Sequence, residues 1–359
     1  MRPELQLLSR HSPIFDAEGP TLVVDPPDAD ILALTTNPTR FEFWVRHRDV
    51  ARMLTPKATI HTGLWAASGR FQQAIVFLPK GRQAQNMTFA QVHDLLSKNT
   101  SVFIVGANHA GMKSAVTHIR HYIGDVRTLD TARRCTLVEA KVASDRPGFD
   151  EADWQQQWTT RAFGQTVDIV TYPGTFSAGA LDAGTAELLT ALEGEKVGPR
   201  ILDLGCGSGV LGTLLAKAQP TGWVQLVDVH AAAIASATAT LKRNRIANAA
   251  CVASDWYEAA TGPFQTIVCN PPFHQGISTD VSMIGAVIAG APSMLNTGGQ
   301  LWLVANRHLP YIRDLQAAFR DVAIVRETTK FRVYRCASPV ATSESERQAG
   351  KRSGKLRKR

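Results

Sequence analysis

The chain has 359 residues, of which 44% are hydrophobic and 19% charged, and its net charge is +8. This length suits two domains of about 150 residues each, with ample apolar material for packed cores. The sequence contains no apolar run near the ~20 residues of a membrane helix, and MRPELQLLSRHSPIF lacks the basic-then-apolar pattern of a secretory signal. We therefore expect a cytoplasmic protein.

The cysteines indicate neither a metal site nor a disulfide framework. No Cys-x-x-Cys pair occurs, and the spacings fit no zinc motif. We expect reduced, mostly buried thiols and no metal. The five positions are Cys135, Cys206, Cys251, Cys269 and Cys336.

Basic residues are concentrated at the end of the chain. Residues 341–359 contain seven Lys/Arg against two Glu, so five of the eight net charges lie there. This segment has no apolar periodicity, and we expect a disordered basic tail. Such a tail adds sequence-independent attraction to phosphate backbones; a solvated solubility tail is the alternative.

Two α/β regions are separated by a polar segment rich in Pro, Gly and Asp. We predict a domain over residues 1–145, a linker over 146–165 and a second domain over 166–340. In the second domain, short β-branched runs alternate with helical patterns, which is typical of a doubly wound parallel sheet. Its predicted strands are 200–204, 223–228, 249–253, 266–269, 299–305 and 332–336, the last closing the sheet.

An internal repeat links the two regions. AIVFLPKG at 74–81 resembles TIVCNPPF at 266–273, and the following strands end in Asn108 and Asn306. Each copy then reaches an Arg-Cys pair, which ends at Cys135 in the first and at Cys336 in the second. We predict duplication of one fold.

A glycine-rich motif, Asp203-Leu-Gly205-Cys-Gly207-Ser-Gly209, lies between a predicted strand and a predicted helix. Glycines permit a tight turn and close approach of a ligand to the backbone, while the helix N-terminus offers unpaired N–H groups. The motif predicts a nucleotide-type cofactor site, with an ordinary turn as the alternative.

Two carboxylates end the following strands. Asp228 is placed to accept hydrogen bonds from both ribose hydroxyls of a nucleoside cofactor. Asp255 is placed to accept a hydrogen bond from an adenine amino group, with Trp256 beside the ring. For both aspartates, a helix cap is the alternative interpretation.

The sequence Asn270-Pro271-Pro272-Phe273 follows the fourth predicted strand and so lies at the same sheet edge as the glycine motif. The side-chain oxygen of Asn270 and the carbonyl of Pro271 are two acceptors for the two hydrogens of a planar amino group. Phe273 offers a face on which a flipped base stacks. The pattern indicates chemistry at an exocyclic amine; a proline-rich loop without catalytic function is the alternative.

Upstream of the glycine motif lies the segment Tyr172-Pro-Gly-Thr-Phe176-Ser177. We expect Phe176 and Ser177 to close over the cofactor, and Asp182 to cap the helix that runs through Leu192. A simple turn followed by a cap is the alternative.

Together these motifs resemble the bacterial ribosomal small-subunit (16S) RNA guanine-N2 methyltransferase family. The resemblance covers nearly the whole chain and is most specific from Tyr172 to Cys336. It implies two tandem Rossmann-like class I methyltransferase domains, of which the first is degenerate. It also implies S-adenosyl-L-methionine as cofactor, bound near Asp203, Gly205, Gly207, Gly209, Asp228 and Asp255, with Asn270 gripping the target amine. The implied partner is ribosomal RNA or an assembling small ribosomal subunit, and we expect a monomer.

The first copy lacks the chemical groups of the second. Leu78 aligns with Asn270 and cannot accept a hydrogen bond, and Asp25-Pro-Pro-Asp28 stands where a glycine loop is expected. We expect this half to shield the second and to present basic side chains to RNA, with an ordinary solvated surface as the alternative. Those side chains are Arg46, Arg48, Lys80 and Arg82.

Other functions compete with guanine-N2 methylation. A methyltransferase for adenine N6 or for protein glutamine uses the same Asn-Pro-Pro-aromatic motif. A nucleotide-binding oxidoreductase would use the glycine loop but leaves Asn270 without a purpose. A non-enzymatic RNA-binding protein needs neither Gly205 nor Asn270.

Overall fold

The computed structural model describes residues 1–55, 58–66, 69–146, 148–271 and 277–340. The first domain contains a seven-stranded sheet of order β3-β2-β1-β4-β5-β7-β6. Its strands are β1 (Thr21–Val24), β2 (Phe41–Val45), β3 (Thr59–Thr62), β4 (Phe71–Phe77), β5 (Leu96–Ala107), β6 (Val126–Ala132) and β7 (Cys135–Lys141). Its helices are α1 (Pro3–Leu8), α2 (Arg48–Leu54), α3 (Arg82–Asp94) and α4 (Met112–Tyr122).

A hairpin of β8 (Gln156–Ala162) and β9 (Gln165–Thr171) precedes the second seven-stranded sheet, of order β12-β11-β10-β13-β14-β16-β15. The strands of that sheet are β10 (Arg200–Leu204), β11 (Trp223–Asp228), β12 (Ala249–Ala253), β13 (Phe264–Cys269), β14 (Leu295–Asn306), β15 (Phe319–Glu327) and β16 (Phe331–Pro339). The helices are α5 (Ala183–Leu192), α6 (Val210–Ala218), α7 (Ala231–Arg243), α8 (Ile277–Met294) and α9 (Ile312–Ala318). Short 3-10 helices cover Ser12–Phe15, Ala29–Leu34, Pro38–Arg40, Asn108–Ala110 and Glu151–Trp154.

The two sheets have the same strand order, which supports the predicted duplication. The pairing register also agrees with the aligned repeats, because Phe77 pairs with Val105 in the first sheet and Cys269 pairs with Leu303 in the second. In both sheets the last two strands run antiparallel to their neighbours. The copies therefore match in topology and in register.

One part of the proposed repeat is wrong. Cys135 pairs with Ala107 at the end of β5, whereas Cys336 pairs with Leu301, well before the end of β14. The two Arg-Cys pairs therefore occupy different places in their hairpins.

Apolar strands buried on both faces form the core of each sheet. All four residues of β1 are buried, as are four of the five residues of β10. Helices cover both faces, so the strands read as nearly continuous apolar runs, as parallel sheets require. The buried clusters of the second domain include Trp302 on one face and Phe264 on the other.

Two strands of the structure, β8 and β15, were not assigned from the sequence. Residues 156–162, within the predicted linker, form β8, whose Trp158 packs against the core of the second domain. The last predicted strand does not close the sheet, because β16 lies between β14 and the edge strand β15. The apolar signal of both missed strands is weak, because β8 alternates partly buried and exposed residues and β15 has one buried residue, Phe319.

Within the described residues, no helix is long and apolar enough to cross a membrane. Across the same residues there is no cluster of metal-ligating side chains, and all five cysteines are free thiols. Residues 341–359, for which a disordered tail is predicted, lie outside the described residues.

Candidate active site

The predicted site residues meet at one edge of the second sheet. Strands β10, β11, β12 and β13 are parallel neighbours, so their carboxyl ends lie side by side. The glycine loop follows β10, Asp228 ends β11, Asp255 follows β12, and Asn270 follows β13. This edge is where ligands bind in open α/β sheets.

The glycine loop leaves open space for a ligand. Gly205 and Gly207 have φ of +75° and +53°, and a Cβ at either position would meet nothing within 4 Å. Gly209 differs, since its Cβ would lie 3.0 Å from the Cβ of Ala237 on α7. Gly205 and Gly207 therefore line an open cradle, while Gly209 allows α6 and α7 to pack closely.

The carboxylate of Asp228 stabilises this loop. Its Oδ2 accepts a hydrogen bond from Gly207 N at 3.0 Å, and its Oδ1 accepts one from His230 N at 2.9 Å. Burial raises the pKa of this carboxyl, and the two backbone bonds oppose that shift. The N-cap of α7 is His230, whose Nδ1 accepts from Ala232 N. The helix-cap interpretation of Asp228 is therefore wrong, and lone pairs of the carboxylate remain for a ligand.

Asp203 lies behind the loop. It is 1% exposed, and its Oδ2 accepts a hydrogen bond from Gly212 N at 2.8 Å. Burial raises the pKa of its carboxyl to about 7. This contact joins the end of β10 to the first turn of α6, so Asp203 supports the cradle from beneath.

Asp255 faces the first domain. Its Oδ2 lies 3.2 Å from Nη1 of Arg52 on α2, and no helix begins at Asp255, so the cap interpretation does not apply. Burial and the neighbouring Asp49 raise the pKa of this carboxyl, while Arg52 opposes the shift. Trp256 follows with φ of +51°, which turns the chain sharply beside the site.

The first domain contacts this edge through the segment that follows β2. Arg48 N donates to Val229 O at 2.9 Å, and Ala231 N donates to Arg46 O at 2.7 Å. The Arg48 guanidinium also pairs with Glu258 at 3.2 Å. Arg46 is 3% exposed, so the expectation that it faces RNA is wrong, whereas the Arg48 side chain is 38% exposed and its contact with RNA stays a prediction. The sequence did not predict these contacts, because they join residues far apart in the chain. The local signal for them is the spacing of Arg48 and Arg52, which places two cations on one face of α2.

The amide of Asn270 has a defined orientation. Its Nδ2 donates to Oδ2 of Asp182 at 2.7 Å and to Oγ1 of Thr185 at 2.8 Å. Its Oδ1 is buried and has no hydrogen-bond partner among the described residues. Pro271 is also buried, whereas the remaining residues of the motif, including Phe273, lie outside the described residues. The site thus presents a buried, unpartnered acceptor.

The segment with Phe176 and Ser177 approaches the same edge. A Cβ at Gly174 would lie 3.2 Å from Cε1 of His230, and Thr175 Oγ1 bonds to Ser236 Oγ on α7 at 2.8 Å. Phe176 is 44% exposed, and Ser177 has φ of +54°. The segment is therefore anchored on α7, close to His230, and the closure of Phe176 and Ser177 over a cofactor stays a prediction.

Two family models match the chain. "Methyltransferase small domain N-terminal" matches residues 6–158, and "Methyltransferase small domain" matches residues 166–335. Curated relatives named "Ribosomal RNA small subunit methyltransferase C" include one from Haemophilus influenzae, 31% identical over 92% of this chain and 98% of the relative. Another, from Pectobacterium atrosepticum, is 37% identical over 72% of each chain.

The chain belongs to the ribosomal RNA small subunit methyltransferase C family. This confirms the resemblance drawn from the glycine loop and Asn270, and with it the predicted class of enzyme, a methyltransferase that uses S-adenosylmethionine.

A solved structure confirms the predicted fold class. The T. thermophilus 16S rRNA N2 G1207 methyltransferase, in complex with AdoMet and guanosine, matches with a TM-score of 0.82 and 24% identity. The match covers 94% of this chain and 92% of that one. Both domains therefore belong to the tandem Rossmann-like arrangement.

An open pocket of about 570 Å³ lies at the same edge, at the end of β14 and the turn between β15 and β16. Its basic side chains are Arg307, His308, Lys330 and Arg332, and Glu327 pairs with Arg307 at 2.8 Å and with Arg332 at 3.1 Å. Since β14 is the direct neighbour of β13, this basic surface lies beside the strand that positions Asn270.

Proposed function

We propose that the chain transfers a methyl group from S-adenosylmethionine to the exocyclic N2 amine of a guanine in 16S ribosomal RNA. The observation that carries this proposal is the Oδ1 of Asn270, which is buried and has no hydrogen-bond partner among the described residues, at the sheet edge that holds the glycine loop. The family relatives are ribosomal RNA small-subunit methyltransferases, and the T. thermophilus structure is of a guanine-N2 enzyme. Adenine N6 and protein glutamine are alternative planar amines.

The residues present fit the cofactor. Gly205 and Gly207 provide backbone with open space in front of it, and Asp228 provides acceptors for ribose hydroxyls. We propose that Asp255 accepts a hydrogen bond from the adenine amino group and that Phe176 and Ser177 close over the cofactor. When bound, S-adenosylmethionine supplies an electrophilic methyl group.

The chain's own contribution to the reaction is to orient the nucleophile. Asn270 Oδ1 and the Pro271 carbonyl accept the two N–H hydrogens of the target amine, which orients the nitrogen lone pair toward the methyl group. A flipped guanine brings its amine to this edge, and stacking on Phe273 holds the base.

The basic pocket beside β14 supplies contacts to the RNA backbone. Arg307 is 51% exposed, and Lys330 is also exposed, so both reach solvent near the proposed base site. Replacing both by Ala should weaken RNA binding about tenfold and lower the salt slope by about 1–2, with the affinity for S-adenosylmethionine unchanged. Arg313 and Arg320, exposed cations elsewhere on this domain, provide the matched double variant. Equal losses from the two double variants would contradict a local RNA surface.

We further propose that the enzyme is cytoplasmic, and that it is a monomer that acts on ribosomal RNA or on an assembling small subunit. The 341–359 tail adds electrostatic affinity for RNA.

The decisive experiment compares modified nucleosides of 16S RNA from strains with and without the gene. We expect one N2-methylguanosine to disappear and to be restored by the wild-type gene but not by Asn270→Ala. Loss of N6-methyladenosine instead would support adenine as the substrate, and unchanged nucleosides with loss of methylglutamine from the proteins of the same strains would support glutamine.

A further inference from the structure

The amide group of Asn270 is held by a carboxylate and a hydroxyl. Asp182 Oδ2 accepts two hydrogen bonds at once, from Asn270 Nδ2 at 2.7 Å and from Thr185 N at 2.9 Å. Thr185 Oγ1 accepts a further bond from Asn270 Nδ2 at 2.8 Å. Both hydrogens of the amide nitrogen are therefore engaged by residues at the start of α5.

Because Asp182 is a carboxylate, it determines which end of the Asn270 amide faces it. The two ends of an Asn side chain have nearly the same shape, so a 180° flip of the amide costs little in packing. Ionised Asp182 can only accept hydrogen bonds, and it therefore requires the nitrogen of Asn270 to face it. The oxygen then faces the opposite side, where no described residue bonds to it.

The flipped amide would oppose the proposed reaction. It would present N–H donors to the N–H donors of the target amine, and its oxygen would face the carboxylate. The charge on Asp182 also strengthens the bond to Nδ2, and cooperative polarisation makes the opposite oxygen a better acceptor. That effect is largest when positive charge develops on the target nitrogen during methyl transfer.

We propose that Asp182, together with Thr185, is a positioning residue that fixes the acceptor oxygen of Asn270 toward the target amine. This inference rests on the proposed role of Asn270. It gives the aspartate at the start of α5 a second task besides capping that helix.

The backbone at Gly184 leaves room for this arrangement. A Cβ there would lie 3.0 Å from Asn270 Oδ1 and 3.1 Å from Asp182 Oδ2. That separation is tighter than ordinary contact, so a side chain at residue 184 would press on the acceptor itself. The absence of a side chain allows the Asn270 amide to lie directly on the first turn of α5.

The test is a double-mutant cycle between Asp182→Ala and Asn270→Ala, measured as single-turnover methylation of RNA. We expect Asp182→Ala to slow turnover about 30- to 100-fold, somewhat less than loss of the acceptor itself, with little change in RNA KM or in S-adenosylmethionine affinity. Asp182→Asn, which keeps an acceptor oxygen but loses the charge, should slow it about tenfold. In the Asn270→Ala background, Asp182→Ala should have almost no further effect.

Asp150 provides the matched control, because it caps a 3-10 helix through Ala152 N at 2.9 Å, without a contact to Asn270. Asp150→Ala should leave turnover unchanged, and cofactor binding by Asp182→Ala will show that this variant is folded. If Asp182→Ala slows the reaction equally with and without Asn270, the residue acts through the fold alone and the inference is overturned. If Asn270→Ala is itself fully active, the proposed role of Asn270 fails, and the positioning role with it.

Discussion

The two domains have the same strand order and register, but only the second has an edge that suits a cofactor. Val24 pairs with Val76 in the first sheet, and Asp203 pairs with Val268 in the second. Since the repeat aligns Val76 with Val268, Val24 corresponds to Asp203. The same register places Pro26 at Gly205, Leu78 at Asn270 and Arg46 at Asp228. Both folds are retained because their strands are buried, whereas the chemistry depends on a few residues just beyond the strand ends.

The first domain fills its own edge with an ion pair. Arg46 is 3% exposed; its Nε donates to Asp25 Oδ2 at 2.6 Å and its Nη1 donates to Thr88 Oγ1 at 2.7 Å. The guanidinium also lies 5.0 Å from the ring centroid of Trp44. A cation therefore occupies the position at which the second domain has the Asp228 carboxylate. At this sheet edge the first domain therefore has a buried ion pair where the second has the open glycine loop and Asp228.

The largest effect is expected from Asn270→Ala. Because the variant loses the preorganised acceptor, turnover should fall by at least ~100-fold while the affinity for S-adenosylmethionine stays near normal. Leu78→Ala, at the matching position of the first domain, serves as the control and should leave turnover unchanged. Calorimetry and single-turnover assays on both variants measure this contrast. Retention of more than about a tenth of wild-type turnover by Asn270→Ala would contradict its role.

Asp228→Ala should weaken S-adenosylmethionine binding by about 2–4 kcal/mol, since a charged acceptor of ribose hydroxyls is lost. The free energy of unfolding should also fall, by about 1–3 kcal/mol, because Gly207 N and His230 N lose their acceptor. Asp28→Ala, which removes a cap from a 3-10 helix of the first domain, is the control for general destabilisation. Unchanged cofactor affinity in Asp228→Ala would exclude the ribose role.

Arg46 corresponds to Asp228, and Arg46→Ala tests whether this position stabilises the first domain. The variant leaves Asp25 partly buried without its partner, so the free energy of unfolding should fall by about 2–3 kcal/mol. The direct effect on cofactor affinity should be small. Denaturant titration alongside Arg10→Ala, which breaks the exposed pair with Asp130, separates buried from surface ion pairs. If Arg46→Ala lowered the affinity for S-adenosylmethionine but not the free energy of unfolding, Arg46 would serve cofactor binding and not stability.

Asp203 corresponds to the apolar Val24 of the first domain, and Asp203→Asn tests its ionisation through the pH dependence of the free energy of unfolding. Burial raises the folded-state pKa of Asp203 to about 7, whereas an unfolded Asp titrates near 4. Between about pH 4 and pH 7 the folded state therefore binds more protons, and the free energy of unfolding falls as pH rises. The Asn variant should lose this component, a difference of about 4 kcal/mol across that range, since each pKa unit corresponds to about 1.4 kcal/mol. Parallel curves for wild type and variant would show that Asp203 does not titrate there.

Much of this contrast could be predicted from residues near one another in sequence. The glycine loop, Asp228 and Asn270 each follow a strongly apolar strand, and parallel topology brings such strand ends together. The cap of α5 by Asp182 was likewise predictable, and Thr185 N donates to that carboxylate. Local patterns carry this information because burial and capping act over a few residues.

The missed features depend on contacts between distant residues. The pair between Arg48 and Glu258 joins positions 210 residues apart, and the bond between Asp182 and Asn270 joins positions 88 apart. The edge strand β15 was missed because only its first residue is fully buried. Tertiary packing determines these features, and the composition of the segments does not reveal them.

The contact between the domains has a consequence for the history of the chain. His47 and His230 pair across an antiparallel bridge, and each lies in the loop that follows the second strand of its own sheet. Contact between the same loop of two copies is the arrangement expected of a symmetric dimer. The contact is the one expected if the two domains descend from a single-domain protein that associated with itself. After covalent linkage, one copy could lose its catalytic residues while continuing to serve as the partner of the other.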